Sequence, residues 1–233
     1  LKPLRLERID SPVGRHYRTP AGDLPSVTTI IGKTRPVAAT RRMASAMGVR
    51  GRERARNSGA RTLRGASGQM RSLAAQRGDD VHERLEGLLS DPWWSHRDIA
   101  SLDGEDGWLR SAAQFLRRVV DPLLVEASLF SESHGFAGTL DLLAGLDDGL
   151  FALVDWKTSA AKKRREWIGD YELQAAAYRQ GLAESYGVTG CDRAMIVVLY
   201  EDEQADVFEM DESALDAAWL RFGVRLATYR SLT

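Results

Sequence analysis

The chain has 233 residues, with 32 Lys plus Arg against 33 Asp plus Glu and a net charge of −1. At 43% hydrophobic and 28% charged it is too apolar for wholesale disorder and long enough to bury a core. No run approaches the roughly 18 apolar residues of a membrane helix, and the lone Cys191 excludes an internal disulfide, a Cys-built zinc site and a Cys-ligated iron–sulfur cluster.

In chain order, Leu1-Lys2-Pro3-Leu4 lacks the apolar run and cleavage site of a secretory leader and reads as a processed or trimmed end. Residues 15–31 predict a short hairpin turning at Pro20-Ala21-Gly22-Asp23. Ser26 is then expected to cap a helix from Val27 to Ile31 that Gly32 ends. Residues 38–76, rich in Ala and Arg, predict two or three loosely joined helices. A separate helix over 79–90 carries the stripe Val81, Leu85, Leu88 and Leu89, and another spans 105–119. After Pro122 the period becomes strand-like over 123–133, 139–146 and 150–157. The last two strands flank Asp147-Asp148-Gly149, a three-residue turn with Gly at its left-handed position. A helix over 166–186, strands over 193–200 and 205–210, and a final helix capped by Asp211 complete the chain. This order predicts an α/β (mixed α+β) fold: a central mixed sheet flanked by helices, with a helical Arg-rich N-terminal extension. The expected division is an arm over 1–77 and a core over 78–233.

The near-zero charge is a cancellation. Residues 1–100 carry 19 basic and 10 acidic side chains, and residues 101–233 carry 13 and 23. Between 33 and 77, twelve cations, among them Arg50, Arg52, Arg54, Arg56, Arg61 and Arg64, face Glu53 alone. Such a run is either a solvated helix surface or a phosphate-binding arm, for which the Arg fork is well shaped.

The segment Gly138-Thr139-Leu140-Asp141 … Asp155-Trp156-Lys157 carries the chemistry. With the three-residue turn, Asp141 is expected directly opposite Asp155, and Lys157 shares a face with Asp155. Opposed carboxylates repel unless a cation neutralises them, and Mg²⁺ accepts one or two carboxylates plus water and phosphate oxygens. The alternative is a solvent-exposed acidic hairpin with a weak Asp155–Lys157 ion pair. A register slip of one residue would send the two Asp to opposite faces. Lys162-Lys163-Arg164-Arg165 forms a basic loop just after this strand, where Lys162 and Lys163 suit phosphate.

Gly138-x-x-Asp141, Asp155-x-Lys157 and Gln174-x-x-x-Tyr178, preceded by His82 in Arg77-Gly78-Asp79-Asp80-Val81-His82, together resemble the PD-(D/E)xK nuclease superfamily. The Gln-x-x-x-Tyr element is similar to that of its RecB-type branch. Leu24-Pro25-Ser26-Val27-Thr28, Gly135-Phe136-Ala137-Gly138 and Asp155-Trp156-Lys157-Thr158-Ser159 are most similar to the mitochondrial genome maintenance exonuclease and related phage exonucleases. The resemblance implies metal ligation by Asp141, Asp155, His82 and the Trp156 backbone carbonyl, with Lys157 as the catalytic lysine. It also implies an acidic residue at Glu126, and Gln174 and Tyr178 lining the site and touching DNA. The implied cofactor is Mg²⁺ or Mn²⁺, with no iron–sulfur cluster. The implied activity is a DNA exonuclease acting at single-stranded ends, in the cytoplasm of a bacterial or phage-infected cell or in the mitochondrial matrix. A duplex nuclease of phage recombination or restriction type, and a catalytically inactive DNA-binding module, are the alternatives.

Overall fold

The computed structural model describes residues 1–36, 63–92, 94–95, 99, 102, 107–201 and 203–233, the first nine residues of the 63–89 helix by backbone alone. Arg50, Arg52, Arg54, Arg56 and Arg61 lie outside the described residues, as does the side chain of Arg64.

The chain opens with a three-stranded antiparallel sheet, β1 (Glu7–Ser11), β2 (Gly14–Thr19) and β3 (Gly22–Pro25). Only the β2–β3 hairpin was expected from the sequence. β1, ERIDS, is exposed on both faces and shows no apolar alternation. Helix α1 (Val27–Lys33) is capped by Ser26, whose Oγ accepts from Thr29 N at 3.0 Å. It runs through Gly32 and ends at Thr34, because Ile30 and Ile31 are buried and hold the last turn in place.

Helix α2 (Leu63–Leu89) is one continuous helix, where a break near residue 77 was expected. Gly78 lies inside it and faces the Thr158 hydroxyl across a close helix–strand contact. After α3 (Gly107–Leu116) come β4 (Val119–Ser131), β5 (Phe136–Leu146) and β6 (Phe151–Thr158). Helix α4 (Gly169–Tyr186), β7 (Ala194–Leu199), β8 (Asp206–Met210) and α5 (Glu212–Arg230) follow. The sheet order is β4-β5-β6-β7-β8, antiparallel throughout except for β6–β7, which run parallel across the α4 crossover. The mixed sheet flanked by helices is therefore as the sequence predicts.

Two cores sandwich the sheet. Helices α1, α4 and α5 bury Ile30, Leu173, Tyr178, Leu182, Phe222 and Leu226 on one face. Helices α2 and α3 bury Val81, Leu85, Leu109, Phe115 and Leu116 on the other. Covered on both sides, β7 reads as the unbroken apolar run AMIVVL. The β5–β6 turn is as expected: Gly149 has φ 79°, and the Leu146 carbonyl accepts from Gly149 N at 2.9 Å. Among the described residues no helix is long and apolar enough to cross a membrane.

Candidate active site

The β5–β6 register matches the sequence expectation over Leu142↔Val154, Leu143↔Leu153 and Ala144↔Ala152. One step beyond, the strands stop pairing. The Trp156 N–H donates to Asp141 Oδ2 at 2.7 Å instead of to a strand carbonyl. The Asp141 carboxylate thus fills the split between the strands, rather than standing as a ladder partner of Asp155. This split is where the chemistry-bearing residues gather.

His82, on α2, enters from the opposite face to α4. Its Nδ1 lies 3.4 Å from Glu126 Oε1 and 3.6 Å from Asp141 Oδ1, and its Nε2 lies 3.1 Å from the Trp156 carbonyl. Glu126 is aimed there by its backbone: φ is 45°, the left-handed region that costs a non-Gly residue about 1–3 kcal/mol. The Arg5 guanidinium donates to the Glu126 carbonyl at the same kink. Regular β4–β5 pairing resumes on either side, at Val125↔Leu142 and Ala127↔Leu140.

Asp155 is 1% exposed. Its Oδ1 accepts from Gln174 Nε2 at 3.0 Å. Its Oδ2 lies 2.6 Å from Lys157 Nζ, a charge contact without hydrogen-bond alignment. Lys157 Nζ also lies 5.3 Å from the centre of the Tyr171 ring. Gln174 donates to the Tyr178 hydroxyl as well, at 3.1 Å. Both Gln174 and Tyr178 are buried and turn inward, so in this structure they orient Asp155. Tyr178 fits because residue 138 is Gly: a β-carbon there would sit 2.6 Å from Tyr178 Cε1.

The electrostatics follow from burial. Burial raises the pKa of Asp141, with His82 and Lys157 pulling the other way. Burial also pushes Asp155 up to about 6, against the pull of Lys157. For His82 burial alone would lower the pKa, but the Asp141 and Glu126 carboxylates outweigh it and push the imidazole up to about 9. Lys157 is likewise raised, its burial penalty overcome by Asp155 and Asp141. The site is a buried mesh of opposite charges.

One ligand atom each from His82, Glu126 and Asp141 lies within 4.8 Å of the others. Two carboxylates and one imidazole are a donor set that could hold a divalent ion. A cation there would also relieve the cost of crowding buried carboxylates.

The basic loop that follows β6 makes contacts within the protein. Lys162 Nζ donates to Gln204 O at 3.0 Å and contacts Asp206 Oδ1 at 3.2 Å, so its charge is matched within the protein. Lys163 is partly buried, which lowers its pKa, and its backbone N–H donates to the Tyr200 hydroxyl. Sequence reasoning missed Tyr17 and Arg5. The buried Tyr17 hydroxyl meets Thr139 Oγ1 at 3.1 Å and ties the small sheet to β5, but nothing in the local pattern around residue 17 signals it. It also missed the Arg77 guanidinium, 4.4 Å from the Trp108 ring centre on the helix that carries His82.

A family model described as the PD-(D/E)XK nuclease superfamily matches residues 52–222. No curated protein matches the chain. Among solved structures, a candidate exonuclease from Eubacterium rectale is similar at 14% identity and a TM-score of 0.34, covering 56% of this chain and 49% of that one. The crystal structure of SSO0001 is similar at 18% identity and a TM-score of 0.25, covering 39% of this chain and 41% of that one. The chain thus spans less than half the length of either structure.

Proposed function

Since the chain belongs to the PD-(D/E)XK nuclease superfamily, we propose that it is a divalent-metal-dependent DNA exonuclease of the RecB-type branch, working from single-stranded ends in replication, repair or recombination. The observation that carries this reading is the convergence of His82, Glu126, Asp141, Asp155 and Lys157 on the split between β5 and β6. Residues 78–233 would carry the chemistry, and the Arg-rich segment before them would guide the strand. The free, buried Cys191 suits a reducing compartment such as the bacterial cytoplasm.

A divalent ion held by His82, Glu126 and Asp141, with Asp155 and the Trp156 carbonyl beside them, would supply Lewis acidity toward a phosphodiester and lower the pKa of a nearby water. The chain's own part is positioning and charge. Gln174 fixes one oxygen of Asp155 and Lys157 lies against the other. With Asp155 and Asp141 beside it, Lys157 keeps its proton at neutral pH. Beside the scissile phosphate, Lys157 would stabilise negative charge growing on it or orient the attacking water. Trp156 N–H donates to Asp141 Oδ2 and so fixes that carboxylate in place, where it would serve as a ligand.

The test is degradation of end-labelled linear single-stranded, linear duplex and circular DNA with Mn²⁺, Mg²⁺ or chelator. Loss of linear single strands alone, abolished by chelator, is expected. Cutting of circles would point to an endonuclease, preferential loss of linear duplex to a duplex nuclease, and binding without cleavage in either metal to a DNA-binding module.

A further inference from the structure

The four consecutive cations Lys162-Lys163-Arg164-Arg165 follow β6, and acidic groups within the protein engage Lys162 and Arg165. Lys162 is matched by Asp206 and Glu203 and sits 4.2 Å from the Tyr200 ring centre. Arg165 contacts Glu172 at 3.4 Å and donates to the Glu209 carbonyl at 2.9 Å. Lys163 is partly buried. Arg164, like Lys163, has no acidic partner among the described residues, but it is exposed and its guanidinium lies 5.5 Å from the centre of the Trp167 ring.

Trp167 is itself unusual in being 51% exposed. Its neighbour Ile168 is fully buried and leads into α4, so the exposed indole stands on an anchored backbone rather than on a loose loop. A short helical turn, closed by Trp167 N donating to the Arg164 carbonyl at 2.9 Å, holds the two side chains together. One turn further along, Tyr171 presents its ring to Lys157 Nζ. An exposed aromatic face with an unmatched guanidinium therefore stands one turn from the ring that neighbours the proposed catalytic lysine.

We infer that Trp167 and Arg164 form a stacking platform for an unpaired nucleobase of the strand whose phosphate is engaged at Lys157; this rests on the nuclease reading above. Indole faces stack on any base, and a guanidinium adds cation–π attraction and a phosphate contact. A base inside a duplex has both faces covered by its neighbours, so the platform serves only single strands and frayed ends. That gives the proposed single-strand preference a structural origin.

The experiment measures binding of fluorescein-labelled strands by anisotropy in chelator, using oligo-dA and an abasic strand of equal length. The full chain is compared with its Trp167→Ala, Trp167→Phe and Arg164→Gln variants, and thermal melts check that each is folded. Trp167→Ala should weaken oligo-dA binding about fivefold or more while leaving abasic binding unchanged, and Trp167→Phe should retain most of the wild-type affinity. Equal weakening on both strands, or no weakening, overturns the platform. Cleavage by the unmodified chain in Mn²⁺ is measured alongside. Cleavage without a base-dependent loss overturns the platform and leaves the nuclease reading standing, whereas absence of both binding and cleavage overturns both.

Discussion

At the scale of single residues, His82 is the joint of the site. Its Nε2 faces the Trp156 carbonyl and its Nδ1 faces two carboxylates, so the imidazole is held charged by the groups with which it would share a metal. Burial works against that charge, and Asp141 and Glu126 outweigh it, leaving a pKa of about 9. The consequence has a definite sign. Below pH 9 a divalent ion taking Nδ1 must displace a proton, so affinity should fall as pH falls, about tenfold per unit for a one-proton exchange. Calorimetric titration of Mn²⁺ at pH 7 in two buffers of different ionisation heat should report release of about one proton. Heats independent of the buffer would mean that His82 is not a ligand. Glu126 belongs to the same account: its left-handed backbone is strained, and the strain directs a carboxylate at His82.

At the scale of elements, the site depends on how closely α4 approaches β5. Gly138 allows the Tyr178 ring to lie where a β-carbon would otherwise be, and Tyr178 in turn accepts from the Gln174 amide that holds Asp155. Gly138→Ala should therefore destabilise the fold by about 1–3 kcal/mol, the usual cost of overpacking a filled core. The variant should show a lower urea midpoint, and its cleavage should fall with the displacement of Gln174. An unchanged midpoint would show that α4 can retreat freely. Elements of this kind were legible where one physical signal dominated. The β5–β6 hairpin could be read because a Gly at a left-handed turn position set its register, and the Asp211 cap because its side chain accepts from Ala214 N. β1 could not be read, since a strand exposed on both faces shows no alternation. The continuity of α2 was hidden by glycines that act as breakers only when tertiary contacts do not hold the helix. The residue types of the site were present in the sequence, but the splitting of the strands at Asp141 was not, because it depends on which backbone N–H the carboxylate captures.

At the scale of the whole molecule, the chain separates its charges: a basic first half and an acidic second half, of which Glu126, Asp141 and Asp155 meet at the β5–β6 split. If the segment from Arg50 to Arg64 contacts phosphates, replacing Arg52, Arg54 and Arg56 by Gln should weaken binding to single-stranded DNA. It should also flatten the plot of log affinity against log salt by about 0.7 per lost contact. An unchanged slope would return those residues to the role of a solvated surface. The central claim, however, is that the pair of Asp155 and Lys157, together with Asp141, performs metal-dependent phosphodiester hydrolysis. Its most direct test compares Asp155→Asn and Lys157→Ala with the unmodified chain on an end-labelled single strand in Mn²⁺, following cleavage and binding together. The account predicts that both variants bind the strand and neither degrades it; degradation at the unmodified rate by either variant would contradict it.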